Sequence, residues 1–308
     1  MPPQKSEIHR TRGILLLLLA ALLWSLGGVL IKSVSWHPLA IAGVRSAFCA
    51  ITLVLLGGRI PFTWSLWEIG GGVAYATTVL LLVLATKLTT AANAIFLQYT
   101  APISIAILAP WILKEKTRGS DFITILIVLG GMALFFVDEV DLSGFLGNAA
   151  GIVSGVSFGL MTVLLRHQRD ASPLASLVIG NVLAAIVGLA FVRAPFPEPG
   201  AWLILAVLGV VQLGLPYFIL TKAIRHVTAM EACLIPMIEP ILNPLWVLLL
   251  IGERPGPYSL IGGAVVLGGV TLRAILAVRR DPVHPPLPAR PTTGAPLDAA
   301  VGTSSTSP

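Results

Sequence analysis

From Gly13 to Ile31 the chain runs without a single charged residue. Similar apolar stretches recur along its whole length, each near the roughly 20 residues that a helix needs to cross a bilayer. Short connectors hold the proline, glycine and charge between them, as in Gly57-Gly58-Arg59-Ile60-Pro61 and the segments 138–144 and 193–200. The pattern predicts ten spans: 13–33, 38–57, 67–86, 91–113, 121–137, 145–165, 174–192, 201–221, 229–251 and 258–278. Only 11% of the 308 residues are charged and mean hydropathy is +0.91, against about 25% charge in a soluble domain. So few charges cannot cover a soluble fold of this size. The alternation of a membrane barrel is absent. The expected class is an all-α integral membrane protein, because a helix satisfies its own backbone groups in lipid.

The chain also matches itself. Shifted by 138 positions without a gap, Thr90 to Leu134 falls on Thr228 to Leu272 with 12 identities in 45 positions. Among them are Pro102 on Pro240, Glu115 on Glu253, and Gly130-Gly131 on Gly268-Gly269. A period near half the chain implies two halves, not a solenoid. Five spans fall in each, over residues 13–137 and 145–278.

Lysine and arginine set the orientation. With the N-terminus inside, fifteen lie on the cytoplasmic side and four outside (Lys32, Lys87, Arg193 and Arg254), while Arg45 lies within a span. That bias puts both termini in the cytoplasm of a multi-pass protein, expected in the cell membrane. Five spans per half is an odd number, so the second half must enter the membrane upside down. Inverted repeats of this kind serve alternating access around a midplane site. The net charge of +6 therefore reflects topology, not nucleic-acid binding. Cys49 and Cys233 sit in apolar runs and make no disulfide framework. The basic N-terminus before a leucine-rich run resembles a signal peptide, but no small-residue cleavage site follows, so it reads as a retained first span. Residues 281–308 are rich in Pro, Ala, Thr and Ser, and read as a disordered cytoplasmic tail.

Several local patterns resemble one family. They are Leu-Trp-Ser-Leu-Gly-Gly around Trp24 to Gly28, His37-Pro38 followed by Arg45, and an Ala-x-x-Ala…Pro…Glu pattern ending in Gly-Gly once per half. Over about residues 14–277 the chain resembles the EamA domains of the drug/metabolite transporter superfamily. The resemblance implies ten helices in inverted five-helix repeats and transport of small metabolites. It also implies a cavity lined mainly by the first four helices of each half. An acid at position 239 is not part of that resemblance; the first half has Ala101 at the matching place.

Charges inside spans cost about 2.5–3.5 kcal/mol on insertion scales, so they are either functional or paired. Glu239, near the middle of the ninth span, is a candidate proton-coupling group or anchor for a cationic substrate. The alternative is a buried ion pair or a hydrogen-bonded carboxyl that fixes packing. Arg45 can bind a substrate carboxylate or phosphate, pair with an acid such as Glu239, or snorkel outward. Pro236, Pro240 and Pro244 fall at intervals of four in the ninth span, and each removes a helical hydrogen bond. Pro102 and Pro110 repeat the device in the fourth. Pro102, Pro236, Pro240 and Pro244 are hinge candidates beside Asn243.

The remaining lining candidates are Trp24, Ser25, Tyr75, Thr78, Asn93, Gln98, Tyr99 and Ser104 in the first half. In the second they are Ser157, Phe158, Thr162, Asn181, Gln212, Tyr217, Asn243 and Trp246. A hydroxyl in such a helix often bonds its own backbone instead. Trp36, Trp64, Trp67 and Trp202 read as interfacial anchors. Gly151, Gly155 and Gly159 read as a close-packing stripe, as do Gly262, Gly263, Gly268 and Gly269, where a homodimer contact is the alternative. Glu115 and Glu253 read as capping or ion-pairing residues at turns.

No phosphate loop, His-Glu-x-x-His or GxSxG motif is present, and no cofactor or metal is implied. The expectation is a secondary transporter, an exporter of a small organic metabolite such as an amino acid or drug-like compound. Its partners would be substrate, lipid and protons. The alternatives are an intramembrane enzyme acting on lipid or isoprenoid substrates, which needs clustered acids or histidines at one face, and a non-transporting membrane subunit.

Overall fold

The computed structural model describes residues 3–114 and 142–280, with isolated positions between 123 and 137. All regular structure among the described residues is helical. Six stretches are long and apolar enough to cross a membrane: Thr11–Lys32, Pro38–Gly57, Leu66–Leu88, Ala91–Ile112, Ser143–His167 and Pro199–Ala223. Pro173–Leu189, Glu239–Ile251 and Pro257–Gly269 are shorter apolar helices. These account for every expected span except 121–137, which lies largely outside the described residues, as does the tail at 281–308.

The first span is not one helix. Its α1 (Pro3–Trp24) stops at Ser25-Leu26, and α2 (Gly27–Lys32) follows. The second and third spans are unbroken. In α3 (Pro38–Gly57), His37 Nδ1 accepts from Leu39 N and Pro38 occupies the first turn; in α4 (Leu66–Leu88), Ser65 caps. The fourth span divides into α5 (Ala91–Gln98) and α6 (Ala101–Ile112), with Pro102 in the first turn of α6. Then come α7 (Leu142–His167) and α8 (Pro173–Leu189).

The eighth span contains α9 (Pro199–Val207), a π-helical turn at Leu208–Gly214, and α10 (Leu215–Ala223). Pro216 follows that turn and cannot donate to the carbonyl of Gln212 four residues earlier, which favours the wider winding. The ninth span comprises α11 (Ala229–Leu234), a 3₁₀ turn at Ile235–Ile238, and α12 (Glu239–Ile251). Finally α13 covers Pro257–Arg280. The bend expected in the ninth span is thus a change of winding, and three other spans are interrupted as well.

The repeat is visible in the caps. Thr90 accepts from the N–H of Asn93 at the start of α5, and Thr228 accepts from that of Glu231 at the start of α11. The two caps stand at the same place in the 138-residue register.

Small residues let the broken elements approach. On α7, a Cβ at Gly155 would stand 2.5 Å from the carbonyl oxygen of Gln98, and one at Gly159 would stand 2.5 Å from that of Ala101. The α7 backbone therefore lies directly against the α5–α6 break, as the close-packing reading of the stripe expects. On α13, Gly263 packs on the Phe96 ring, whereas nothing lies near Gly268.

The largest buried cluster draws on elements from both sides of the chain, among them Leu17, Trp24, Tyr75, Met161, Leu177, Tyr217 and Leu220. Outside it, Leu55, Leu66, Trp111 and Leu250 are 77%, 87%, 85% and 70% exposed. A monomer in water does not display apolar surface on this scale, but a lipid-facing perimeter does.

Candidate functional site

Three of the four helix breaks, those in the first, fourth and ninth spans, converge on one small cavity lined by Trp24, Gln98, Tyr99, Ala101, Phe158, Cys233, Pro236 and Glu239. Trp24 is the last residue of α1, where the first span interrupts. Its ring meets Phe158 at 6.5 Å and Tyr217 at 5.1 Å between centroids, both edge-on. Its indole N–H is buried with no acceptor among the described residues. Gln98 ends α5, and its Nε2 donates to Ser154 Oγ at 3.2 Å. That hydroxyl in turn donates to the carbonyl of Thr78 at 2.9 Å.

Tyr99 occupies the α5–α6 break and donates its hydroxyl to the carbonyl of Pro236 at 3.1 Å. The proline positions explain this contact. Pro240 has no N–H to give the carbonyl four residues before it, which is that of Pro236. In the same way Pro102 has none for Gln98. The two carbonyls are 138 positions apart, so each repeat carries the same missing bond. In the first half the carbonyl of Gln98 lies on Gly155; in the second it takes the Tyr99 hydroxyl.

Glu239 is the first residue of α12, where a helix dipole favours an acid. It is half-buried on the cavity wall. Among the described residues it has no ion pair or hydrogen bond. Its register mate, Ala101, lines the same cavity from α6.

Arg45 does not pair with it. The guanidinium donates to the carbonyl of Val79 at 3.1 Å and to Gln212 Oε1 at 3.5 Å. Only 1% of Arg45 is exposed, which removes the snorkelling alternative. Gln212 passes the contact on, its Nε2 donating to the carbonyl of Trp24 at 3.2 Å. Arg45 thus supports the break in the first span from behind and is not on the cavity wall.

Asn243 is buried over Gly28, its Oδ1 without a donor among the described residues. Trp246 Nε1 donates to Ser25 Oγ at 3.1 Å. Gln212, Asn243 and Trp246 therefore surround the interruption in the first span from the second half. Tyr75 and Tyr217 stack edge-on at 4.7 Å behind Trp24, and Tyr75 donates to Asn181 Oδ1 at 3.1 Å.

The expected site residues separate accordingly. Trp24, Gln98, Tyr99, Phe158, Pro236 and Glu239 share the cavity. Arg45, Asn243, Tyr75, Gln212 and Tyr217 buttress it, and Pro102, Pro240 and Pro244 shape the helices without lining it. Sequence reasoning missed Cys233 and Ser154, and saw Ala101 only as the mate of Glu239. The single signal for Cys233 is its place two turns before Glu239. Thr162 and Ser104 hydroxyls bond the carbonyls of Phe158 and Ala101 in their own helices. Glu253 pairs with Lys32 from another segment, not with the adjacent Arg254; its mate Glu115 lies outside the described residues.

The model of the EamA-like transporter family matches this chain twice, over residues 11–137 and 145–274. A protein of Archaeoglobus fulgidus described as an uncharacterized transporter is 25% identical, covering 83% of this chain and 94% of its own. An uncharacterized transporter of Helicobacter pylori is 27% identical over 61% of this chain and 67% of its own. An uncharacterized protein of Pseudomonas aeruginosa is 30% identical over 58% and 62%. One crystal structure shares the fold, with a TM-score of 0.65 at 20% identity, covering 88% of this chain and 99% of that one. With two family matches spanning most of its length and apolar helices enough for many crossings, the chain belongs to the EamA-like transporter family and is a multi-pass membrane transporter of the drug/metabolite type.

Proposed function

We propose that the protein is a secondary transporter that exports a small organic metabolite across the cell membrane, with both termini cytoplasmic. It would work by alternating access of two inverted five-helix repeats, residues 13–137 and 145–278, around a central site. Amino acids and drug-like compounds are the candidate substrates, with proton exchange at Glu239 as the coupling step. The observation that carries this reading is the cavity itself. Interrupted segments from both halves meet there, around an intramembrane carboxylate that no described residue neutralises. Irregular backbone at membrane depth is tolerated where it lines a cavity, and interrupted helices at a repeat interface are the usual position of a transport site.

The test is counterflow in proteoliposomes holding the purified chain. Vesicles are preloaded with pooled amino acids, amines and drug-like compounds, and labelled solutes are added outside. Uptake above protein-free vesicles is expected for at least one solute. If no solute moves and an imposed proton gradient is not dissipated, the transporter reading fails.

A further inference from the structure

We infer that Lys32 and Glu253 form a latch, which holds the cavity shut on the outer face and has to open before solute can pass there. This rests on the transport reading above and names the device that controls access to the same site. Successive layers separate the cavity from the end of α2. Trp24, at the end of α1, is part of the cavity wall. Beyond it Asn243 of α12 lies over Gly28. Next comes a buried layer of Val29, Ala91 and Val247, one residue each from α2, α5 and α12. The ion pair closes the stack, with Lys32 Nζ 2.6 Å from Glu253 Oε2. Apolar contact is non-directional, so the layer of Val29, Ala91 and Val247 can slide. The charged contact has a direction and a partner, and it fixes α2 in one position.

The two repeats cap the matching helix ends differently, and the difference ties the halves together. In α11 the acid belongs to the helix itself. Thr228 accepts from the N–H of Glu231, and the Glu231 carboxylate accepts from the N–H of Thr228 at 2.9 Å. The register mate of Glu231 in α5 is Asn93, whose amide donates to Thr89 Oγ1 and Asn148 Oδ1 at 3.3 and 3.4 Å. The carboxylate at the start of α5 comes instead from the other half, where Glu253 accepts from the N–H of Ala91 at 2.8 Å. A cap made within one helix survives any motion of that helix. The cap from Glu253 is lost when the halves part, and the pair with Lys32 goes with it. Side-chain exposures of 16% for Lys32 and 22% for Glu253 let water take up both charges as they separate, which moderates the cost of opening. The break at Ser25-Leu26 supplies the pivot on which α2 swings clear.

Cys233 on the cavity wall is a built-in reporter of access, and Cys49, buried off the cavity, is its control. The full chain, in right-side-out and in inside-out vesicles, is treated with membrane-impermeant 2-(trimethylammonium)ethyl methanethiosulfonate. Mass spectrometry follows the peptides of both cysteines, and counterflow is measured on the same preparations. Wild type is expected to label slowly at Cys233 from the outer face. Glu253→Gln and Lys32→Met, on different elements, are each expected to raise that rate about tenfold, with no rise from the cytoplasmic face and none at Cys49. Thermal melting identifies a variant that fails to fold. Equal Cys233 rates in wild type and a folded variant, with solute exchange intact, overturn the latch and leave the transporter standing. A rise from both faces, or at Cys49 as well, shows general loosening and also overturns the latch. A rise from the outer face alone, without flux of any solute, overturns the transporter reading and leaves the latch. Equal rates without flux overturn both.

Discussion

Lys32 and Glu253 meet at 2.6 Å, and both reach the turn that starts α5. Lys32 also donates to the carbonyl of Thr89 at 2.9 Å, while Glu253 accepts from the N–H of Ala91 at 2.8 Å. One ion pair thus gathers the end of α2, the loop before α5 and the loop after α12. Replacing Glu253 with Gln leaves Lys32 without its counter-ion and weakens the bond to Ala91. Loss of about 1–3 kcal/mol of stability is expected, read as a lower melting temperature in detergent. A double-mutant cycle with Lys32→Met should show coupling. Additive effects would mean that the two residues act independently.

The contact between α7 and the α5–α6 break leaves no room for a methyl group. Gly155→Ala is expected to cost about 1–3 kcal/mol, since Gln98's backbone carbonyl cannot move aside like a side chain. Gly268→Ala, where nothing lies within 4 Å, should change stability by less than about 0.5 kcal/mol. Equal melting temperatures for the two variants would contradict the packing described.

Tyr99→Phe removes one hydroxyl and leaves the Pro236 carbonyl without that donor. A loss of about 0.5–1.5 kcal/mol in stability is expected. The ring is retained, so the cavity wall keeps its apolar surface. An unchanged melting temperature would show that the hydroxyl does not hold the Pro236 carbonyl.

Proton exchange at Glu239 makes transport depend on pH if that carboxyl is the coupling group. Glu239 shares the cavity wall with Tyr99 from the α5–α6 break and Cys233 from α11, and Arg45 on α3 is engaged elsewhere. Flux of a counterflow solute in wild type should vary between about pH 5.5 and about pH 8.5, and Glu239→Gln should flatten that dependence. An unchanged pH profile in a folded Glu239→Gln chain would remove Glu239 from the coupling step.

The membrane class was legible because long uncharged runs have few other solutions. The proline-marked breaks in the fourth and ninth spans were legible because they rest on local chemistry, whereas Thr90 and Thr228 were visible only as matching positions of the repeat and not as caps. The interruption of α1 at Ser25 was not. Gly27 and Gly28 permit several packings, and the choice is made by Gln212, Asn243 and Trp246, which are far away in sequence. The π-helical turn was missed because Pro216 sits beyond the segment it distorts. Arg45 and Glu239 offered an ion pair on charge alone, and only the fold places Arg45 against Val79 and Gln212. Cys233 and Ala101 reach the cavity as ordinary apolar residues, and nothing in their type distinguishes wall from core.

The missing i to i−4 bonds at Gln98 and Pro236 have a consequence for lipid. A backbone carbonyl left open at membrane depth has to meet protein or water, because hydrocarbon offers no donor. Among the described residues the carbonyl of Pro236 takes the Tyr99 hydroxyl and that of Gln98 lies against Gly155. Two prolines 138 positions apart thus oblige both breaks to stay inside the bundle, turned away from the surrounding lipid.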